Sequence, residues 1–136
     1  MAKGMTWARR PSKEQKAKVP DGIEAQIQNT ADKFIDSELK PDFIKPPPPG
    51  SDFNYIVDIY SKWHGAYLYL CSKYRCPAEN RIAEFFEERF ARLEYVDEDL
   101  FNLSYKRHTG QWWELHRGFR LAQCFRAIKD DSSFQP

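Results

Sequence analysis

Side chains alternate in character along Phe53–Lys62, and again over Ala66–Arg75. No other feature constrains the fold as strongly. In the first run Tyr55, Val57 and Ile59 fall to one side and Asn54, Asp58 and Lys62 to the other, with the apolar Ile56 between them. A period of two is that of a half-buried β-strand. Only Trp63-His64-Gly65 separates the two runs, and strands joined by so short a link pair antiparallel. Pro77 closes the second run.

The same signal returns downstream. Ala91, Leu93 and Tyr95 alternate with Arg92 and Glu94; Phe101, Leu103 and Tyr105 alternate with Asn102, Ser104 and Lys106. Polar turns at Asp97-Glu98-Asp99 and His108-Thr109-Gly110-Gln111 separate these runs from each other and from Trp112–His116. Residues 90–117 therefore predict two or three further strands.

The helical period appears at both ends. Ile23, Ile27, Phe34, Ile35 and Leu39 form one stripe over 21–39. Asp21 is the expected N-cap, with Glu24 in capping-box position, and Pro41 is the expected stop. Leu121, Cys124, Phe125 and Ile128 recur at i, i+3, i+4 and i+7, which predicts a helix over 120–130. Ile82, Phe85, Phe86 and Phe90 suggest a short helix over 80–89, with Phe85 and Phe86 in the core. Lys45-Pro46-Pro47-Pro48-Pro49-Gly50 favours a stiff polyproline II connector. The expected fold is α+β: a single antiparallel sheet of four to five strands, with N-terminal and C-terminal helices packed on one face. The helices would cover one face of the sheet, and the other face would be partly aromatic.

Charge is unevenly spread along the 136 residues, although the whole chain carries only +1. Residues 1–20 hold six basic side chains against Glu14, a net +5; the remainder is net −4. The expected organisation is a basic N-terminal arm, 1–20, attached to a single body, 21–136. The longest apolar run, Ala66–Cys71, is far too short to span a bilayer. The basic N-terminus lacks the apolar segment of an export signal. A cytoplasmic location is expected, with no membrane contact.

Most familiar chemistries lack their motifs. There is no phosphate-cradling glycine loop, no nucleophile elbow and no H-E-x-x-H. Cys71 and Cys76 stand on one strand about 16 Å apart at 3.3 Å per residue, too far for a disulfide or a zinc knuckle. Three free thiols, no metal and no cofactor are expected, and Cys124 reads as a small core residue.

The densest mixture of recognition side chains is Tyr105–Trp113. Trp and Arg combine large contact area with a polar handle, so they recur at binding hot spots. Arg107, His108, Gln111, Trp112 and Trp113 are the expected contact residues here, joined by Trp7, Arg9, Arg10 and Lys13 of the arm. On a strand Trp112 and Trp113 point to opposite faces.

Four blocks, Lys73–Pro77, Phe90–Tyr95, His108–Trp112 and the helix Leu121–Ile128, resemble those of a group of small uncharacterised bacterial proteins. The resemblance covers about residues 53–136, leaving out the arm and the prolines. It implies a compact bacterial α+β domain and carries no activity. The first functional reading is a non-catalytic accessory or adaptor protein that docks on a larger protein or complex. The second is an RNA- or DNA-associated protein with the arm on phosphates. An enzyme built around His108 or His116 is a third, which no spacing supports.

Overall fold

The structure, a computed structural model, describes residues 18–47 and 49–136. Five strands form one antiparallel sheet in the order of the chain: β1 (Tyr55–His64), β2 (Tyr67–Arg75), β3 (Phe85–Asp97), β4 (Leu100–Lys106) and β5 (Trp112–Phe119). Short turns (65–66, 98–99 and 107–111) join β1 to β2, β3 to β4 and β4 to β5, while residues 76–84 carry the chain from β2 to β3. Gly65 turns the chain between β1 and β2 with φ at 61°, in the left-handed region where a Cβ would be strained.

The helices lie together on one face. α1 (Asp21–Phe34) runs through a widened π-helical turn (Ile35–Leu39) into α2 (Lys40–Phe43), and α3 (Leu121–Asp130) closes the chain with a short 3₁₀ turn (Ser132–Phe134). Ile27, Ala31, Ile35 and Leu39 meet Cys124, Phe125 and Ile128 over Ile59, Leu68, Leu70, Leu93, Phe101 and Leu103 of the sheet. Phe34 stacks on Phe125 with ring centroids 4.5 Å apart, so the two helical segments touch directly. Lys129 Nζ adds bridges to Asp42 (3.2 Å) and Glu38 (3.3 Å) across the same junction. Burying a side chain of Leu, Ile or Phe size is worth about 1.5–3 kcal/mol, so this single layer of contacts supplies most of the stability. One polar seam crosses it: the Ser61 hydroxyl donates to Asp32, while Gln28 Nε2 donates to Ser61, pinning α1 on β1.

Four expectations need correction. Asp21 does not cap α1; Pro20 stands at the N-cap, its carbonyl accepts from Glu24 N–H at 2.9 Å, and Asp21 is the first helical residue. Asp21 and Glu24 still favour that end, because carboxylates in a first turn offset the helix dipole. Pro41 does not end the helix. The Lys40 N–H reaches back five residues to the Ile35 carbonyl, and Pro41 then falls in the first turn of α2, where a missing N–H costs little. Val19 is buried in the core, so the packed body reaches back two residues beyond its expected start.

The fourth correction concerns 80–89. No helix forms there: β3 begins at Phe85, and Phe85 and Phe86 are 43% and 36% exposed, while Phe90 is 5% exposed. The apolar spacing of this segment mimics a helical stripe, but cross-strand partners decide otherwise. Phe86 opposes Tyr74 and stacks on it (5.0 Å, 3°), and Lys73 sits 4.8 Å over the Phe85 ring. β4 pairs only with Ala91–Asp97, so the first six residues of β3 overhang it and are held in the sheet by β2 alone.

Candidate functional site: the helix-free face of the sheet

Because side chains alternate, Leu68 and Leu70 of β2 enter the core while Tyr67 and Tyr69 emerge on the opposite face. Likewise Leu93 of β3 points inward and Arg92 and Glu94 outward. Arg89 and Arg92 are three apart and would face opposite sides of a regular strand. A bulge changes that. Leu70 pairs with Ala91 and the next residue, Cys71, pairs with Arg89, so Phe90 is the extra residue. Phe90 and Ala91 are both buried, and Arg89 joins Arg92 on the open face.

The result is a ladder of rings and guanidinium groups. The Arg89 guanidinium carbon lies 4.2 Å over the Tyr69 ring. That of Arg92 lies between Tyr67 (4.6 Å) and Trp112 (5.0 Å). The Tyr67 and Tyr69 rings are 6.0 Å apart, and Trp112 leans across the sheet to within 5.7 Å of Tyr69. Tyr69 is only 6% exposed on a face that carries no helix, because its neighbours cover it. Each cation–π contact contributes about 0.5–1 kcal/mol, more where water is excluded. Together they hold both guanidinium groups against the rings of the sheet. Arg92 Nε is shielded from solvent there and has no hydrogen-bond partner. Beside the ladder, Asn102 Nδ2 donates to Glu94 at 3.3 Å and its Oδ1 accepts from Gly118 N–H at 3.1 Å.

The aromatic cluster singled out from the sequence is divided by the fold. Trp112 belongs to the ladder. Trp113 pairs with Tyr105 on the helix side and is 52% exposed, with the Arg107 guanidinium 5.0 Å over its ring. His108 is exposed in the β4–β5 turn and Gln111 is exposed where the turn enters β5. Arg107 and His108 also line a shallow cavity of about 440 Å³ with Tyr74, Glu88 and Lys106. Trp7, Arg9, Arg10 and Lys13 lie outside the described residues. Sequence reasoning missed Tyr67, Tyr69, Arg89 and Arg92 as a group. The alternation of Tyr with Leu in β2 was the available signal for the tyrosines; the bulge that recruits Arg89 leaves none.

The described residues offer little to catalysis. Burial pushes the Cys124 thiol up to about 12, and burial also raises that of Cys71, so both stay protonated at neutral pH. All three cysteines are free. His116 stacks on Phe119 (4.4 Å) at the β5 edge, while Cys124 is sealed in the core. Lys40 and Lys129 titrate above the ordinary lysine value, each held charged chiefly by hydrogen bonding to a carboxylate, Asp36 and Asp42 respectively. Among the described residues no group of three or more His, Cys, Asp or Glu side chains is placed to hold a metal, and no helix is long and apolar enough to cross a membrane.

These features define an α+β domain: an antiparallel meander with the helices of the described residues on one side and a ring–guanidinium ladder on the other. A family model, the domain of unknown function DUF3024, matches residues 19–136, and the chain belongs to that family. The match takes in the proline segment and starts at the buried Val19. No curated protein and no solved structure matches the chain.

Proposed function

We propose that this protein is a non-catalytic accessory or adaptor module of the bacterial cytoplasm, docking on a larger macromolecular partner through the helix-free face of its sheet. One observation carries the reading. Tyr67, Tyr69, Trp112, Arg89 and Arg92 form an ordered ladder on the face of the sheet opposite the described helices. Trp, Tyr and Arg are the side chains that dominate binding energy where large partners meet. Unpaired cysteines suit a reducing compartment, and burial keeps the Cys71 and Cys124 thiols protonated and so poor nucleophiles. In this reading Trp7, Arg9, Arg10 and Lys13 of the basic arm add to the contact, as do Arg107, His108 and Gln111 around the β4–β5 turn, while Trp113 stands on the helix side and is not part of it.

The test uses three full-length proteins: wild type, Lys62→Glu/Arg89→Glu on the open face, and Arg126→Glu on the exposed side of α3. Each is cross-linked in native lysate, and the captured material is quantified with and without nuclease. The open-face variant is expected to lose its specific capture at least tenfold, with the α3 variant unchanged. Equal capture by all three would overturn the reading.

A further inference from the structure

We propose that the overhanging edge of β3 is a strand-addition site: an extended peptide segment of another protein lies antiparallel along residues 85–90, in the place that β4 vacates. The site is the edge of the sheet and not its ladder face, so it does not depend on the reading above.

Backbone geometry leaves this edge ready to pair. Cys76 N–H donates to the Glu84 carbonyl at 2.7 Å. From there the register runs unbroken through Arg75↔Phe85 to Cys71↔Arg89. In an antiparallel pair every second residue turns both its N–H and its C=O to the partner strand, and the residues between turn theirs away. Glu84, Phe86 and Glu88 therefore bond to β2, while Phe85, Glu87 and Arg89 direct their backbone groups to the opposite side. β4 stops pairing at Ala91↔Tyr105. Arg107 N–H then donates to the Gln111 carbonyl at 2.8 Å, so the chain has turned toward β5 before it reaches this stretch. Among the described residues no turn, loop or tail supplies a backbone hydrogen bond to Phe85, Glu87 or Arg89.

The vacant place is also concave. Its inner end opens into the cavity of about 440 Å³, walled by residues 88–90 of β3, by residues 106–110 and by Ser133, Gln135 and Pro136 of the C-terminal tail. The outermost strands offer no such seat. β5 meets β4 with register shifts between Phe101 and Leu103 and between Leu103 and Ser104, and β1 meets β2 with one between Ile56 and Asp58. Irregularities of this kind twist an edge away from a flat partner. Residues 85–89 have none, and the stretch accepts a guest of about six residues, about 20 Å long.

The side chains along the edge state what the guest carries. At the inner end Arg107 lines the cavity with His108; its guanidinium lies 5.0 Å over Trp113 and forms no ion pair with a described residue, whereas Lys106 is bridged to Glu88 at 3.6 Å. An acidic residue suits that end. Glu87 and Glu88 stand in the middle, with Lys73 across from Glu87, so the guest is free of carboxylates there. Phe85 and Phe86 are part-exposed at the outer end, on opposite faces of the strand, and apolar side chains cover them. Main-chain bonds supply affinity in this mode and alternate side chains supply specificity.

The experiment uses the full chain and an acetylated, amidated peptide of about eight residues, two glutamates followed by alternating valine and threonine. Amide exchange is followed by nuclear magnetic resonance. At saturating peptide, exchange at Phe85, Glu87 and Arg89 is expected to slow about tenfold or more, while Phe86 and Glu88, already bonded to β2, change little. Glu87→Pro removes the middle donor without touching the β2 ladder, a place where an edge strand tolerates proline, and should weaken binding about tenfold. Near-ultraviolet circular dichroism verifies its fold. Arg107→Glu is the second variant: it should weaken the acidic peptide about fivefold and favour, by a similar factor, a peptide with lysines in place of the glutamates.

Failure of the peptide to bind at millimolar concentration overturns the proposal. So does protection that falls on β1 or β5, protection without the alternation of bonded and free amides, or affinity indifferent to both variants. Slowed exchange at the three amides that grows with protein concentration in the absence of peptide identifies a second copy as the occupant and overturns it as well. None of these results bears on capture through the ladder face, so the two readings fail separately.

Discussion

Alkaline pH should invert the stability order of the wild-type protein and Cys124→Ala. Cys124 is fully buried between α3 and the sheet, and burial raises its thiol to about 12 from an ordinary value near 9.0. In the unfolded chain the thiol ionises near 9; in the folded chain it does not. Below pH 9 both states hold the proton and pH has no effect through this group. Between 9 and 12 the unfolded state releases the proton and the folded state must keep it. Stability therefore falls by about 1.4 kcal/mol per pH unit. At about pH 10.5 the loss from this one group is about 2 kcal/mol. Removing the sulfur costs about 1 kcal/mol of packing at any pH, at the low end for a one-atom core deletion. The variant should thus be the less stable protein at neutral pH and the more stable one at about pH 10.5. Urea melts under reducing conditions at both pH values read the crossover directly. Other alkaline titrations, of Cys71, Tyr and Lys groups, are common to both proteins and cancel in the difference. Parallel loss of stability in the two proteins would refute the reasoning, because Cys124 would then not be held protonated by the core.

Phe90→Ala should cost about 3–5 kcal/mol in denaturant melts, whereas Phe86→Ala, at a part-exposed ring stacked on Tyr74, should cost under about 1.5 kcal/mol. Phe134 is buried against Tyr105 at 6.2 Å, so ending the chain at Asp131 should lower the melting temperature as much as a core truncation does. Deleting residues 1–17 should leave the melting temperature nearly unchanged by calorimetry, because the buried cluster from Val19 onward is kept whole. Thiol titration of the unfolded, unreduced protein should count three.

The sheet was legible because period-two alternation reports a one-sided environment, as with Leu68 and Leu70 against Tyr67 and Tyr69 in β2; in β1 a register shift between Ile56 and Asp58 breaks the expected side, so Tyr55 and Ile59 face opposite ways, and β5 carries no such alternation. α3 was legible for the same reason at period 3.6. Residues 80–89 were not, because the overhanging part of β3 has no buried face. Its apolar residues answer to Tyr74 and Lys73 on the neighbouring strand, and their spacing carries no information about a period. The continuation through Pro41 was hidden too, since it depends on a π-helical turn that sequence spacing does not announce. Of the site, Trp112 was visible as a residue type and the aromatic character of one face followed from alternation. Arg89 could not be placed, because a single bulge at Phe90 sets which way it points.

The overhang of β3 has a consequence for how the protein behaves at high concentration. Beyond the reach of β4, a strand with one unsatisfied edge is a template on which another chain can grow, the first step toward fibrils. Phe85 and Phe86 would make that template adhesive. Glu87, Glu88 and Arg89 follow at once and are all exposed. An incoming copy in antiparallel register about Glu87 or Glu88 would set carboxylate against carboxylate. The overhang is therefore guarded by like-charge repulsion at its middle, which keeps two phenyl rings beside an open edge from seeding a stack.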